Sequence, residues 1–443
     1  MANLSPSLLF KVQRSKPEMI CPNKPTPHEL KYLSDIDDQE GFRYQVQVIQ
    51  FYKNNENMEG KDPVKVIREA IRKALVFYYP FAGRLREGEN RKLMVDCTGQ
   101  GIVFIEADAS VRLNQFGDVL HPPFPCLEEL LYDVTRLMCG GFIFALRLNH
   151  TMADAAGLVQ FMIAVSEIAR GASHPSVEPV WNRELLSVCG PLRVTCIHHE
   201  YVECTDDSKC PPLGLGEMVH HAFFFGPQEA VALRKHVPPH LHSCSMFELL
   251  TACIWRCRTL ALNLNPSDQV RILNVVNARK KFNPNLPAGY YGNVFAFPAA
   301  VSTAGELCNN PLGYALQLVK KAKAEVTEEY MMSVANLMVL KGRPCFPVSG
   351  TYIVSDVTRA GFSNVDFGWG KAVYGGNAKV GIDPLPGAFS YYMRIQNNQG
   401  EDKIVVPVSL PRPAMERFVI ELERTMKEPE IKRISPFRIV SGL

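Results

Sequence analysis

Apolar and polar positions along the chain follow two rhythms, and these locate most of its elements. Residues 62 to 76, DPVKVIREAIRKALV, place Ile67, Ala70, Ile71, Ala74 and Leu75 at helical spacing. Asp62 can cap that helix and Pro63 suits its first turn. Pro80 in FYYPFAGRLR ends the pattern, and KLMVDCTGQGIVFIEADA then reads as two strands around a glycine-containing turn. From Phe142 to Asn149 the period drops to two, with Phe142, Phe144, Leu146 and Leu148 on one face and Arg147 and Asn149 on the other. Beyond Ala155 it returns to helical spacing through Leu158, Phe161, Met162, Val165 and Ile168, and Gly171 stands where that helix should stop. FALRLNHTMADAAGLVQF, residues 144 to 161, is therefore strand, short loop and helix, with His150 and Asp154 at the junction.

Residues 173 to 217 are rich in proline, lack periodicity and contain the polar run ECTDDSK, which predicts a crossover between two domains, 1–172 and 218–443. A length of 443 residues favours the same division, because single cores stop growing well below it. The second domain opens on the strand-like MVHHAFFF. Its clearest helix is SMFELLTACIWRCRTLAL, where Ser245 and Glu248 form a capping box. Further helices are predicted across PLGYALQLVKKAKAEV and AMERFVIELERTMKE.

A hydrophobic content of 47% and a charged content of 21% support a large buried core and argue against disorder. The net charge of +3 is spread without a long basic block, which argues against nucleic acid or an anionic membrane as partner. The first twenty residues lack a signal-peptide core and no run is long enough to span a bilayer, so a cytoplasmic, monomeric protein is expected. The 13 cysteines show no framework spacing and read as reduced, mostly buried side chains. Cys196, His198, His199, Cys204 and Cys210 cluster in the crossover without a Cys-x-x-Cys knuckle, so a reduced loop is expected there and no metal site.

A neutral imidazole at a strand end suits a general base, since histidine titrates near pH ~6.5. His150 taken alone more readily reads as a histidine whose hydrogen bond ties down a turn. Asp154 could orient the imidazole, pair with an arginine, or share a metal with His150 in a hydrolase, although no third ligand is evident. A second segment, NVDFGWGKAVYGG at 364 to 376, gathers Asp366, Trp369 and four glycines, Gly368 and Gly370 among them. On its own it reads as a glycine-rich hairpin.

HTMADAAG and DFGWG together, with PFAGRLR, NARKK, GYYGNVFAFP, SDVTR and SPFRIV in order over nearly the full length, resemble the plant BAHD acyl-CoA-dependent acyltransferases. The chain looks most similar to the benzyl alcohol benzoyltransferase and methanol anthraniloyltransferase group. The resemblance implies an α/β, two-domain chloramphenicol acetyltransferase-like fold, each domain a mixed sheet with flanking helices and a channel at the interface. It also implies acyl-CoA as co-substrate, no resident cofactor, and a neutral aliphatic or benzylic alcohol as acceptor. His150 would deprotonate the alcohol, which attacks the thioester directly. Asp154 would serve geometry by pairing with Arg279. Asp366 and Trp369 would support the site, with Trp369 near enough to shape it or its oxyanion environment. Lys280, Lys281, Ser245, Ser355 and Thr358 would contact CoA.

Two departures stand out. Ala155 replaces the glycine usual after the motif aspartate, a small change of little expected harm. More consequential is the arm before CGG: DVTRLM is shorter than FIFALRLN, the arm that leads to His150, and would leave the latter partly unpaired. A neighbouring segment taking its place, reduced stability or activity, or a homologue that binds CoA without turnover are the alternatives this leaves open.

Overall fold

The computed structural model describes residues 8–131, 133–202, 217–381, 387–396 and 400–427. The first half contributes β1 (Val12–Arg14), β2 (Glu18–Ile20), β3 (Gln45–Tyr52), α1 (Pro63–Phe77), β4 (Ile102–Ala109), β5 (Asp133–Leu137), β6 (Phe142–Asn149) and α2 (Ala155–Ala169). The second contributes β7 (Met218–Phe225), α3 (Met246–Leu262), β8 (Gln269–Asn274), β9 (Ala299–Thr303), α4 (Leu312–Ala324) and α5 (Glu328–Leu340). It continues through β10 (Thr351–Asp356), β11 (Tyr374–Asn377), β12 (Phe389–Gln396), β13 (Asp402–Pro411) and α6 (Arg412–Met426).

One sheet runs β1-β4-β5-β6-β3-β11, with β2 also beside β4, and the other runs β7-β13-β12-β10-β8-β9. Helices α1 and α2 cover the outer face of the first sheet, burying Ile67, Leu75, Leu158 and Phe161 against Phe142 and Phe144. Helices α3, α4 and α6 cover the outer face of the second. The inner faces meet in a shared core of Ile49, Phe51 and Ile143 from one sheet and Leu273, Ile353 and Phe389 from the other. Each such side chain contributes roughly 1.5–3 kcal/mol on burial, so the seam between the sheets is part of the core.

Local signals formed as expected. Asp62 accepts a hydrogen bond from Val64 N at 3.2 Å. Ser245 Oγ accepts from Glu248 N at 3.2 Å, while Glu248 Oε2 accepts from Ser245 N at 2.9 Å, closing the capping box. Gly171 has φ +103° beyond α2, the left-handed conformation that stops a helix. Pairing partners were less legible. The two strands in KLMVDCTGQGIVFIEADA separate, Leu93–Asp96 joining a small sheet with Leu30–Tyr32 and Arg84–Glu87 while β4 joins the large one. NVDFGWGKAVYGG is not a hairpin: β11 crosses to the first sheet and pairs antiparallel with β3, from Tyr374↔Phe51 to Asn377↔Val48.

The short arm has the consequence its length implies. β5 pairs with β6 only at Val134↔Phe144, Thr135↔Ile143 and Arg136↔Phe142. On the opposite edge β3 accompanies β6 along all eight residues, from Tyr52↔Phe142 to Gln45↔Asn149. The strand that leads to His150 is thus secured on one edge, while Ala145–Asn149 face a cavity on the other.

In the crossover, His198 Nε2 lies 2.8 Å from Ser333 Oγ and Nδ1 lies 3.2 Å from Glu200 Oε1. Cys204 and Cys210 fall outside the described residues. No helix among the described residues is long and apolar enough to cross a membrane.

Candidate active site

His150 immediately follows β6, and its backbone N–H donates to Tyr44 O at 2.9 Å, tying the turn to the start of β3. Phe42 stacks on the imidazole at 5.0 Å between centroids, with Tyr44 at 5.5 Å and Phe295 at 5.8 Å. Burial pushes the imidazole below its ordinary pKa, outweighing the opposing pull of the Asp154 and Asp37 charges. Its Nδ1 is buried with no hydrogen-bond partner among the described residues. The site therefore holds a neutral, proton-accepting ring at pH 7.

Asp154 caps α2, its Oδ1 accepting from Gly157 N at 3.0 Å. The same carboxylate grips Arg279 through two hydrogen bonds of 2.7 and 2.8 Å, and accepts a fourth from Val294 N at 3.1 Å. Burial alone would raise its pKa, but the Arg279 charge and these hydrogen bonds prevail and hold it below the ordinary carboxylate value. Asp154 thus spends its acceptors on helix, arginine and backbone, fixing the loop without touching the imidazole. Gly157 is needed for this closeness, since a Cβ there would lie 2.0 Å from Tyr291 O.

Three supports carry no signal in the sequence. Asn293 Nδ2 donates to His150 O at 2.9 Å and to Asp37 Oδ1 at 2.8 Å. Asp37 also receives Arg183 at 3.0 and 3.1 Å, and Arg183 continues to Met152 O at 2.8 Å. Residues far apart in the chain, including a crossover arginine that is 1% exposed, thereby clamp the two ends of the His150 turn.

A cavity of about 540 Å³ opens at His150 and lies between the halves, lined by Tyr44, Ala155, Phe295, Phe297, Phe389 and Tyr391. Ser245, Ser355 and Thr358 also line it. Lys280 and Lys281 do not line it and are exposed on a short helical turn. Cations are instead found where a second recess of about 350 Å³ adjoins the first at Met246, Thr358, Arg359 and Ile404, and which adds Arg234, Arg394 and Lys403. Arg394 is held by Asp402, its Nε donating at 3.0 Å.

The DFGWG loop is also elsewhere than expected. Trp369 packs edge-on against Phe142 at 5.3 Å, at the far end of β6 from His150, roughly 24 Å along the strand. Asp366 Oδ1 accepts from Gly368 N at 2.7 Å and Gly370 N at 2.8 Å, and both glycines have positive φ, +112° and +93°. Asp366 and Trp369 are therefore not at the reacting atoms; with Gly368 and Gly370 they form a compact knot that anchors the first sheet.

A family model described as the transferase family matches residues 10–425. The chain belongs to the BAHD transferase family. It is 63% identical over 439 residues to a benzyl alcohol O-benzoyltransferase of Petunia hybrida, covering 96% of this chain and 95% of that one. With a Nicotiana tabacum protein of the same name it shares 64% identity at the same coverage. It is 55% identical over 449 residues to an alcohol acyl transferase of Malus domestica, covering 96% of both chains. Among solved structures it resembles vinorine synthase, with a TM-score of 0.72 at 20% identity over 94% of this chain and 99% of that one. A second is TRI101 of F. sporotrichioides complexed with coenzyme A and T-2, with a TM-score of 0.66 at 16% identity over 90% and 98%. The two-domain α/β architecture is thus that of this BAHD fold, and the chain is an acyltransferase.

Proposed function

We propose that the chain transfers an acyl group from acyl-CoA to the hydroxyl of a neutral alcohol, with His150 as general base. The observation that carries this reading is a half-buried imidazole, neutral by desolvation, at an aromatic-walled cavity between the two sheets. His150 removes the hydroxyl proton as the alcohol oxygen bonds to the thioester carbonyl carbon. The tetrahedral oxyanion then collapses, the C–S bond breaks, and the departing thiolate takes the proton from the imidazolium. None of these steps requires an acyl-enzyme.

The cationic group beside His150, Arg279, is committed to Asp154, so the acceptor end offers no partner for an acid. Tyr44, Phe295, Phe297 and Tyr391 favour a flat apolar group, in keeping with the benzyl alcohol named for the tobacco and petunia relatives. Arg359 and Lys403, with Arg234, give the adjoining recess the charge that CoA phosphates need, while Ser245, Ser355 and Thr358 line the His150 cavity and Thr358 the recess as well.

The deciding experiment measures thiol release from acetyl-CoA and benzoyl-CoA with methanol, butanol, hexanol and benzyl alcohol, with His150→Ala in parallel. Alcohol-dependent release that the substitution removes supports the mechanism; release independent of alcohol refutes it. The pH profile follows from burial: the base is active when neutral, so kcat/KM should be level at pH 7 and fall only as pH drops below the ordinary imidazole value of about 6.5. An acid limb centred above pH 7 contradicts the assignment. For the recess, Arg359→Ala should raise KM for acyl-CoA roughly tenfold at unchanged kcat, the scale of one charge-assisted hydrogen bond of ~1.5 kcal/mol. An unaltered KM in steady-state kinetics removes Arg359 from the phosphate site.

A further inference from the structure

Asn377 ends β11, lines the cavity that opens at His150 and is 5% exposed. Its Oδ1 is buried with no hydrogen-bond partner among the described residues. Such an atom has given up its hydration without compensation, unless a ligand supplies the donor. Other polar side chains of the same lining are occupied. Asp356 Oδ1 accepts from Thr358 N at 2.9 Å, Lys323 Nζ donates to Glu248 at 2.8 Å, and Asn277 Oδ1 accepts from Arg279 N at 3.0 Å.

The backbone does not call for asparagine here. Residue 377 lies in regular antiparallel pairing opposite Val48, and Ala378 N carries the ladder on to Gln47 O at 3.1 Å. Its φ is not left-handed, and its own carbonyl accepts from Tyr374 Oη at 2.7 Å. Asparagine is disfavoured in strands, and residues directly opposed across a ladder share one face of the sheet, so the amide stands beside Val48. That face is apolar: Val48 packs in one cluster with Leu158 and Phe362, and all three line the cavity.

The register also sets the reach. His150 N is tied to Tyr44 O, and Val48 lies four residues farther along the chain, roughly 13 Å in an extended strand. A hydrogen bond of about 2.9 Å at each end leaves roughly 7 Å between an oxygen at His150 and a second oxygen at Asn377. That is the scale of a benzene ring carrying one oxygen directly and the other on the carbon para to it.

We propose that Asn377 is a specificity residue: its Oδ1 accepts a hydrogen bond from a hydroxyl at the far end of an aromatic substrate whose near end reacts at His150. The inference rests on the acyl-transfer reading of that site and narrows its preferred substrates to ring-hydroxylated ones. An unpaired acceptor selects a hydroxyl over a methyl group of similar size, because the methyl leaves Oδ1 without a donor. The ring can belong to the alcohol or to the acyl group of the thioester, since both meet at His150.

The test follows ester formation by chromatography in two arms. One supplies acetyl-CoA with 4-hydroxybenzyl or 4-methylbenzyl alcohol, scored as the benzylic ester; the other supplies 4-hydroxybenzoyl-CoA or 4-methylbenzoyl-CoA with butanol. In at least one arm the parent chain should favour the hydroxyl compound in kcat/KM, and Asn377→Val should lower that hydroxyl-to-methyl ratio about tenfold. The arm that responds names the substrate the amide reads. A purely structural role lowers both members of a pair together and leaves each ratio in place, a result that overturns the proposal. A parent chain that favours the methyl compound in both arms overturns it as well, without any variant having to fold. Absence of ester from every pair is a different failure: it refutes the proposed reaction, and this inference with it.

Discussion

His150→Ala should lower kcat/KM for alcohol acylation by about 10²–10⁴-fold while acyl-CoA still binds. The turn is held through the backbone of this residue, by Tyr44 and Asn293, and the ring itself stacks on Phe42 at the cavity, free for chemistry. Its Nδ1 has no hydrogen-bond partner among the described residues, so the fold should survive the loss of the ring and the rate should not. Parallel calorimetry with a non-hydrolysable acyl-CoA analogue checks this separation. Retained turnover, or binding lost together with turnover, refutes the general-base role.

Asp154→Asn is expected to destabilise the protein by about 3 kcal/mol, seen as a lower midpoint in urea unfolding. Asparagine still caps a helix, so the substitution isolates the Arg279 pair from the cap of α2. The magnitude lies at the lower end for a buried ion pair because the Arg279 side chain keeps 22% exposure against 7% for Asp154. Adding Arg279→Met, which removes the stranded cation, should recover part of the loss. The pH dependence has a definite sign: the Asp154 carboxyl sits below its unfolded value, so its contribution is complete above about pH 3.9 and is lost as pH falls through the folded value. An Asp154→Asn chain that unfolds like the parent would show that the carboxylate is replaceable by any cap.

The position of His150 was legible because it sits where the apolar period changes from two to 3.6, a local signal. Its supports were not. Asp37, Arg183 and Asn293 meet across stretches of 146 and 256 residues, and nothing near any of them in sequence marks the encounter. Lys280 and Lys281 show the opposite case: a basic run is conspicuous in the sequence, but the short turn from Arg279 to Lys281 leaves the two lysines exposed while Arg279 reaches Asp154. The short arm before His150 is legible from strand lengths alone, since DVTRLM cannot match FIFALRLN. What length could not reveal was that β3 would hold the other edge, a partner nearly a hundred residues upstream.

The crossing of β11 into the first sheet bears on how the chain is made. Until residues 374–377 emerge from the ribosome, β3 has an unpaired edge, exposed beside the strand that carries the base. The N-terminal half therefore cannot finish folding ahead of the rest, as consecutive domains usually do. Synthesis of most of the polypeptide precedes completion of its first sheet, and a ribosome stalled in the crossover would display a half-built protein with a sticky flank. Chaperone dependence during translation, and rescue of a truncated first half by supplying the second in trans, are the cellular traces such a topology leaves.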